Sequence, residues 1–325
     1  MPETHSESTG AAGGGVSILV LVGATAVGKT GVAVDLCRWL GGEIVGADSV
    51  QVYRGLDIGS AKPSLQSLMG IRHHLIDVAD PDAPLDAAAF ARLADQAIDE
   101  VVARGSVPVV VGGTGLWLRA LVRGLVAVPP VDEGVRESLH RQFERLGAAE
   151  MHRRLAGVDP TAAARIHPHD RVRVVRALEV YELTGTPVGE LRRRHALAEP
   201  RYRTLCFDID IPPAHLKRRL VDRARAMIEA GWADEVRGLV QRYGPEIRPL
   251  RSVGYRQMVE HVLDDVPLED TEHKIVKATR QYARRQRTWF KSDPDVDAHI
   301  SPADLTGDPV RRRIEAHLAA TPGAS

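Results

Sequence analysis

The chain has 325 residues, 44% of them hydrophobic, with 43 basic side chains balanced by 43 acidic ones. That length exceeds one ordinary domain, so a core with an inserted or appended unit is expected. Two cysteines, Cys37 and Cys206, offer neither a disulfide framework nor paired metal-ligand spacing, and no apolar run is long enough to span a membrane.

In chain order, residues 1–15 (MPETHSESTGAAGGG) lack the basic start and apolar stretch of a secretory signal. They read as a disordered tail on a cytoplasmic protein. The apolar run 18–22 reads as a buried strand that feeds GATAVGKT at 23–30. This is the GxxxxGK[ST] pattern, a loop that wraps backbone N–H groups around a phosphate chain. Gly23 and Gly28 let the backbone approach the phosphates, and Ala24, Thr25, Ala26 and Val27 lie between them in the loop. Lys29 brings a point charge, and the Thr30 hydroxyl can sit on Mg2+. A di- or triphosphate ligand follows; which one does not.

A helix is predicted over 30–40, strands over 43–47 and 73–78, a helix over 87–104 and a strand over 107–111. This alternation predicts an α/β fold, a parallel sheet with helices on both faces, whose ligands sit at the strand carboxyl ends. Three stretches of interest fall at such ends: the loop, residues 48–51 and residues 112–115. Cys37 and Cys206, in helical and strand patterns, read as small core residues.

From Val131 the pattern is helical until a strand over 202–211, and the boundary Ala127-Val128-Pro129-Pro130 is loop chemistry. The expected organisation is a tail (1–15), the first part of the core (16–130), an all-helical insertion (131–203), the second part of the core (204–305) and a C-terminal tail (306–325). Helical stretches are predicted over 213–243 and 271–291, and a short basic helix within the last segment.

Asp48 follows an apolar strand beside the phosphate loop. It can hold Mg2+ through water, accept a proton from a substrate, or cap a helix. Thr114, in Gly112-Gly113-Thr114-Gly115, either points a hydroxyl into the same crevice or caps the next helix. The thirteen histidines show no metal spacing; His73-His74 and His167/His169 read as surface or RNA-contacting groups.

Charge is unevenly placed, with net values of −6 over 1–150, +9 over 151–292 and −3 over 293–325. Between Glu272 and Asp293 there is no acid, while Lys277, Arg280, Arg284, Arg287 and Lys291 follow the spacing of one helix face. A solvated face normally interleaves acids, so the pattern favours contact with a phosphate backbone. Ile275, Ala278, Tyr282 and Trp289 line another face, suited to the core.

Taken together, these segments resemble the tRNA dimethylallyltransferases, also called tRNA isopentenyltransferases. The resemblance rests on GATAVGKT (23–30), ADSVQVYRGLDIGSAKP (47–63), VGGTGLWLRAL (111–121), ARIHPHDRVRVVRALEV (164–180), RSVGYRQ (251–257) and TRQYARRQRTWF (279–290). It spans residues 17–291 in the family's order. It implies a P-loop nucleotide-kinase-like core with an inserted helical domain. It implies transfer of the dimethylallyl group from dimethylallyl diphosphate, with Mg2+, to the exocyclic amine of the adenosine 3′ of the anticodon.

Residue by residue, it implies Asp48 as general base and Thr114 as hydrogen-bond donor to the departing diphosphate, with the loop around Lys29 holding that diphosphate and Thr30 on the metal. It implies RNA contacts at Asp48, Ser49, Val50, Gln51, Arg136, Val172, Arg173, Val174, Val175, Arg176, Arg251, Ser252, Val253, Gly254, Tyr255, Arg256, Arg280, Arg284 and Arg287. The expected partner is a tRNA anticodon stem-loop bound by a monomer. Ala24 and Val27 stand where many members have Pro and Ser, Trp117 where Tyr is usual and Ser60 where Thr is usual. Three rivals are a P-loop nucleotide or small-molecule kinase, an isopentenyltransferase acting on free AMP, and a non-enzymatic RNA-binding protein. The first two leave the basic half unexplained, and the third leaves Lys29, Thr30, Asp48 and Thr114 unexplained.

Overall fold

A computed structural model describes residues 15–64, 66–126, 128–196 and 200–320. Most of the expected N-terminal tail, the last five residues, Ala127 and the side chain of Arg194 lie outside the described residues. The chain divides into two compact units, residues 1–122 with 200–325, and residues 123–199.

The first unit is built on a parallel sheet. Its strands are β1 (Ser17–Val22), β2 (Gly42–Ala47), β3 (His73–His74), β4 (Val107–Gly112), β5 (Arg203–Ile209) and β6 (Ala298–Ile300), in the order β3-β2-β4-β1-β5-β6. β1 is central, with Leu19 opposite both Val109 and Leu205. Its continuous apolar sequence follows from burial on both faces. Ile18, Val20 and Val22 pack with Phe90, Ile98, Leu121 and Phe290, while Leu19 and Leu21 pack with Val34, Leu36, Leu220 and Ile314. Both cysteines are buried and unpaired.

Helices α1 (Lys29–Leu40), α2 (Ala87–Ala103) and α3 (Gly115–Arg123) follow β1, β3 and β4 respectively. The strand expected over 73–78 stops after two residues, because Leu75 and Asp77 take left-handed backbone conformations (φ 64° and 55°) that no strand accommodates. His73 and His74 are half-buried rather than on the surface. His74 Nε2 lies 2.7 Å from Glu43 Oε2, and Arg104 grips the same carboxylate with two bonds of 2.9 Å. The Arg104 bonds chiefly hold the Glu43 carboxyl down at about 2.

After β5 come the helices of the unit's second half. Those that bear on the site are α9 (Pro213–Glu229), α10 (Trp232–Tyr243), α11 (Tyr255–Asp264) and α12 (Leu268–Lys291). The helical stretch expected over 213–243 is two helices, broken at Gly231 (φ 94°). β6 is too short for its sequence to announce. The basic helix expected in the tail, α13 (Asp308–Ala319), buries Ile314 in the core.

The second unit is all helical: α4 (Glu133–Leu146), α5 (Ala148–Val158), α6 (Pro160–Ala163), α7 (Arg171–Thr184) and α8 (Val188–Ala196). Leu139, Met151, Leu155, Val174, Val175 and Leu178 form its core. Glu179 is fully buried and accepts from Asp132 N–H at 3.1 Å and from Arg136 Nη2 at 3.0 Å, with Arg176 Nη1 3.0 Å away. Removing the carboxylate leaves two guanidinium groups facing each other without a counter-ion. Glu179→Ala should therefore cost about 3–5 kcal/mol of stability, measured by urea unfolding of the whole chain followed by circular dichroism. A loss below about 1 kcal/mol would show that the network contributes little.

Candidate active site

The phosphate loop leaves β1 at Gly23 and enters α1 at Lys29. Gly28 sits at φ 102°, which aims the following N–H groups of the helix start into the loop. Lys29 Nζ donates to the carbonyls of Gly23 (3.0 Å) and Ala24 (2.8 Å), closing the loop around its own charge. Desolvation lowers the Lys29 ammonium to about 8, while the charges of Asp48 and Asp208 pull it back up.

Asp48 emerges just beyond β2. Its Oδ1 accepts from Val50 N–H (2.9 Å) and Gln51 N–H (3.3 Å), so it caps a turn rather than a helix. Oδ2 has no hydrogen bond from the described residues and is the oxygen left for chemistry. Thr114 Oγ1 accepts from Ser49 N–H and donates to Ser49 Oγ, both at 3.3 Å, linking the ends of β2 and β4.

Helix α12 seats directly on these strand ends. Gln286 Oε1 accepts from Thr25 N–H (2.9 Å) in the phosphate loop, and Gln286 Nε2 donates to the Gly113 carbonyl (2.8 Å). A methyl group on Gly113 would overlap Gln286, and one on Gly115 would overlap the Trp289 indole. These glycines are therefore required by the closeness of α12.

Thr25, Lys29, Thr30, Asp48, Ser49 and Gly113 open onto one cavity of about 710 Å³. Two arginines of α9 join it. Arg219 Nη1 donates to the Val27 carbonyl at 3.1 Å, and burial lowers Arg223, while the charge of Asp48 pulls it back up. Leu220, Ala224, Met227, Trp232 and Ile275 supply an apolar flank. Tyr282 lines the same space, and desolvation with the Asp48 charge raises its phenol to about 12, so it is neutral at pH 7. Burial lowers His73 to about 4, which makes this cavity-lining imidazole neutral as well.

One wall is shaped by Glu235 of α10. It accepts from the N–H groups of Asp57 (2.8 Å), Ile58 (2.6 Å) and Gly59 (3.2 Å) and from the Tyr255 hydroxyl (2.7 Å). Sequence reading missed Arg219, Arg223, Glu235 and Gln286. The α9 pair has the i, i+4 spacing that places both on one helix face.

The residues expected to meet RNA divide by exposure. In the first unit Arg251, Arg256, Arg280 and Arg284 are exposed, and Gln51 binds the Ser60 and Ala61 carbonyls (3.0 and 3.2 Å). Ser252 bonds the Pro249 carbonyl, Val253 lines the cavity and Gly254 packs on Trp232. Tyr255 is buried against Trp232 and Glu235, and Arg287 leaves the basic face to pair with Asp210 (2.8 Å). Each of these side chains has an internal partner in the protein by itself. In the helical unit Val172 and Arg173 are exposed. Val174 and Val175 are core residues there, and Arg136 and Arg176, both part-exposed, pair with Glu179.

A phosphate loop, a carboxylate and an apolar flank in one cavity define a P-loop protein for a ligand with both a diphosphate and a hydrocarbon part. Residues 51–293 match the model of the IPP transferase family. The chain is 46% identical over 280 residues to tRNA dimethylallyltransferase 1 of Pelobacter propionicus, covering 86% of this chain and 91% of that one. It is 46% identical over 298 residues to the tRNA dimethylallyltransferase of Anaeromyxobacter sp. (strain Fw109-5), covering 92% and 98%. Among solved structures it resembles the full-length tRNA isopentenylpyrophosphate transferase of Bacillus halodurans (34% identity, TM-score 0.65, 93% and 94% covered). It also resembles a eukaryotic dimethylallyltransferase captured acting on tRNA (27% identity, TM-score 0.76, 92% and 78% covered). The chain belongs to the IPP transferase family.

The half-buried lysine carries a testable consequence. Its charge is present below about 8 and lost above it. Affinity for a diphosphate monoester should therefore be flat up to pH 7.5 and then fall, by up to about tenfold per unit, as the pH rises to 9.5. Lys29→Met should bind weakly at every pH. Titration calorimetry measures both, and constant wild-type affinity up to pH 9.5 would contradict this account.

Proposed function

We infer that the chain is a tRNA dimethylallyltransferase, moving the dimethylallyl group of dimethylallyl diphosphate to the exocyclic amine of the adenosine 3′ of the anticodon and releasing diphosphate. The observation that carries the chemical assignment is Asp48 with a free carboxylate oxygen in the same cavity as the phosphate loop and the apolar flank. The loop, Lys29, Arg219 and Arg223 take the diphosphate. Leu220, Met227 and Trp232 take the hydrocarbon. The allylic C–O bond breaks, the adenine nitrogen bonds the freed carbon, its proton passes to Asp48 Oδ2, and the electron pair leaves with diphosphate. Neutralising that leaving group and holding the amine in line are the protein's main contributions.

A divalent cation fits this site. Among the described residues no cluster of three or more acidic, histidine or cysteine side chains could hold a metal alone. The Thr30 hydroxyl on the cavity wall is the kind of single oxygen ligand that Mg2+ takes when most of its shell is phosphate and water. When bound, the ion would neutralise charge on the diphosphate.

The RNA lies, in this reading, against Lys277, Arg280 and Arg284 of α12, which face outward with no ion pair among the described residues, and against Arg173 on the helical unit. Arg251 and Arg256 extend the basic surface of the first unit. No helix among the described residues is long and apolar enough to cross a membrane. The proposed form is a cytoplasmic monomer acting on an anticodon stem-loop.

Two measurements test the reading. An unmodified anticodon stem-loop with adenosine after the anticodon should accept the group while free AMP does not, and rising salt should weaken RNA binding steeply. Equal rates on AMP would overturn the acceptor. Asp48→Asn keeps the turn cap but cannot take a proton, so single-turnover transfer should fall about 10²–10⁴-fold with little change in either affinity. A rate near wild type would leave Asp48 as a turn cap alone.

A further inference from the structure

We propose that Gln286 is a positioning residue for the transfer step: its one amide holds the phosphate loop and the Thr114 turn in register. The proposal rests on the function inferred above and adds a residue to it. Gln286 is 7% exposed, and both ends of its amide are used: the oxygen on Thr25 N–H, the nitrogen on the Gly113 carbonyl. Thr25 and Gly113 belong to different strand ends. β1 and β4 are neighbours in the sheet, but beyond Val22 and Gly112 no ladder hydrogen bond joins the two loops that follow them. Gln286 spans that gap.

What it spans is chemically specific. One loop carries the donors that receive the departing diphosphate, and the other carries the Thr114 hydroxyl next to Ser49 and Asp48. A leaving group is stabilised only if all its donors converge on the place where charge develops, and a misplacement on the order of 1 Å costs about 10²-fold. The lack of a side chain at Gly113 is what lets the amide in. The next residue, Arg287, is fixed to Asp210 beyond β5, so the bridge stands on a helix tied down at a third strand end.

The amide pattern also explains why glutamine serves here. The site needs one acceptor and one donor about a carboxamide's width apart. A protonated glutamate offers the same pair, an ionised one offers two acceptors, and a methionine offers no donor and only a weak sulfur acceptor.

The test uses the full chain, a preformed enzyme–stem-loop complex and saturating dimethylallyl diphosphate in single turnover. Gln286→Met should lower the rate about 10–100-fold. Combined with Thr114→Ala it should lower the rate by clearly less than the product of the two single losses, because part of what the glutamine positions is that hydroxyl. Gln286→Glu should approach wild type at low pH and lose rate, relative to the wild-type profile, as its carboxyl ionises. A wild-type rate for Gln286→Met, multiplicative losses in the double variant, or a Gln286→Glu profile parallel to wild type would each overturn the proposal. A wild-type rate for Thr114→Ala alone would instead overturn the role given to Thr114 under the inferred function. If Gln286→Met fails to fold, the Gln286→Glu profile decides.

Discussion

A lysine ammonium drawn part-way out of water governs this molecule. Lys29 cannot be solvated freely within the loop, so it turns to the carbonyls of Gly23 and Ala24. Those bonds need a tight backbone ring, which in turn needs a strand before it and a helix after it. The parallel sheet supplies both, and covering its two faces requires helices on each side. The loop is a concentrated electrostatic potential: helix-start N–H groups, Lys29, Arg219 and Arg223 all face one cavity, an arrangement suited to an anion. Asp48 and Asp208 are the counterweights that keep so much positive charge tolerable in a half-buried space.

How much of this the sequence disclosed depends on whether the chemistry is local. The phosphate loop is eight contiguous residues, each with a backbone reason to be there, so it can be read directly. Asp48 is legible too, because one apolar strand places it. Gln286 is not. It sits in a run dominated by arginines, and nothing in its neighbours says that its partners are 261 and 173 residues away. Glu235 is hidden for the same reason: an acid in the first turn of a helix looks like dipole compensation, while here it gathers three N–H groups from a distant loop.

The helical unit shows how burial sorts a basic stretch. Its motif RVRVVRALEV reads as a basic stretch, and the resemblance marks Val172 through Arg176 as RNA contacts. Helical periodicity sorts them differently. Val174 and Val175 turn inward, and Glu179, one turn beyond Arg176, captures both that arginine and Arg136. A buried acid reverses the meaning of nearby basic residues, converting surface charge into internal structure. Arg287 and Asp210 repeat the lesson in the first unit.

The long reach of Gln286 also bears on how the protein is made. The phosphate loop is synthesised well before its partners: β1 lacks its neighbour β5 until residue 209 and the loop lacks the Gln286 hydrogen bond until residue 286. At synthesis rates of about 5–20 residues per second, that interval is roughly 13–52 s. Throughout it the nascent chain carries a complete phosphate-binding motif without a complete site. A chain cut short anywhere before α12 keeps the motif and loses the amide that closes the loop, so possession of the motif and possession of the site are separate events in synthesis.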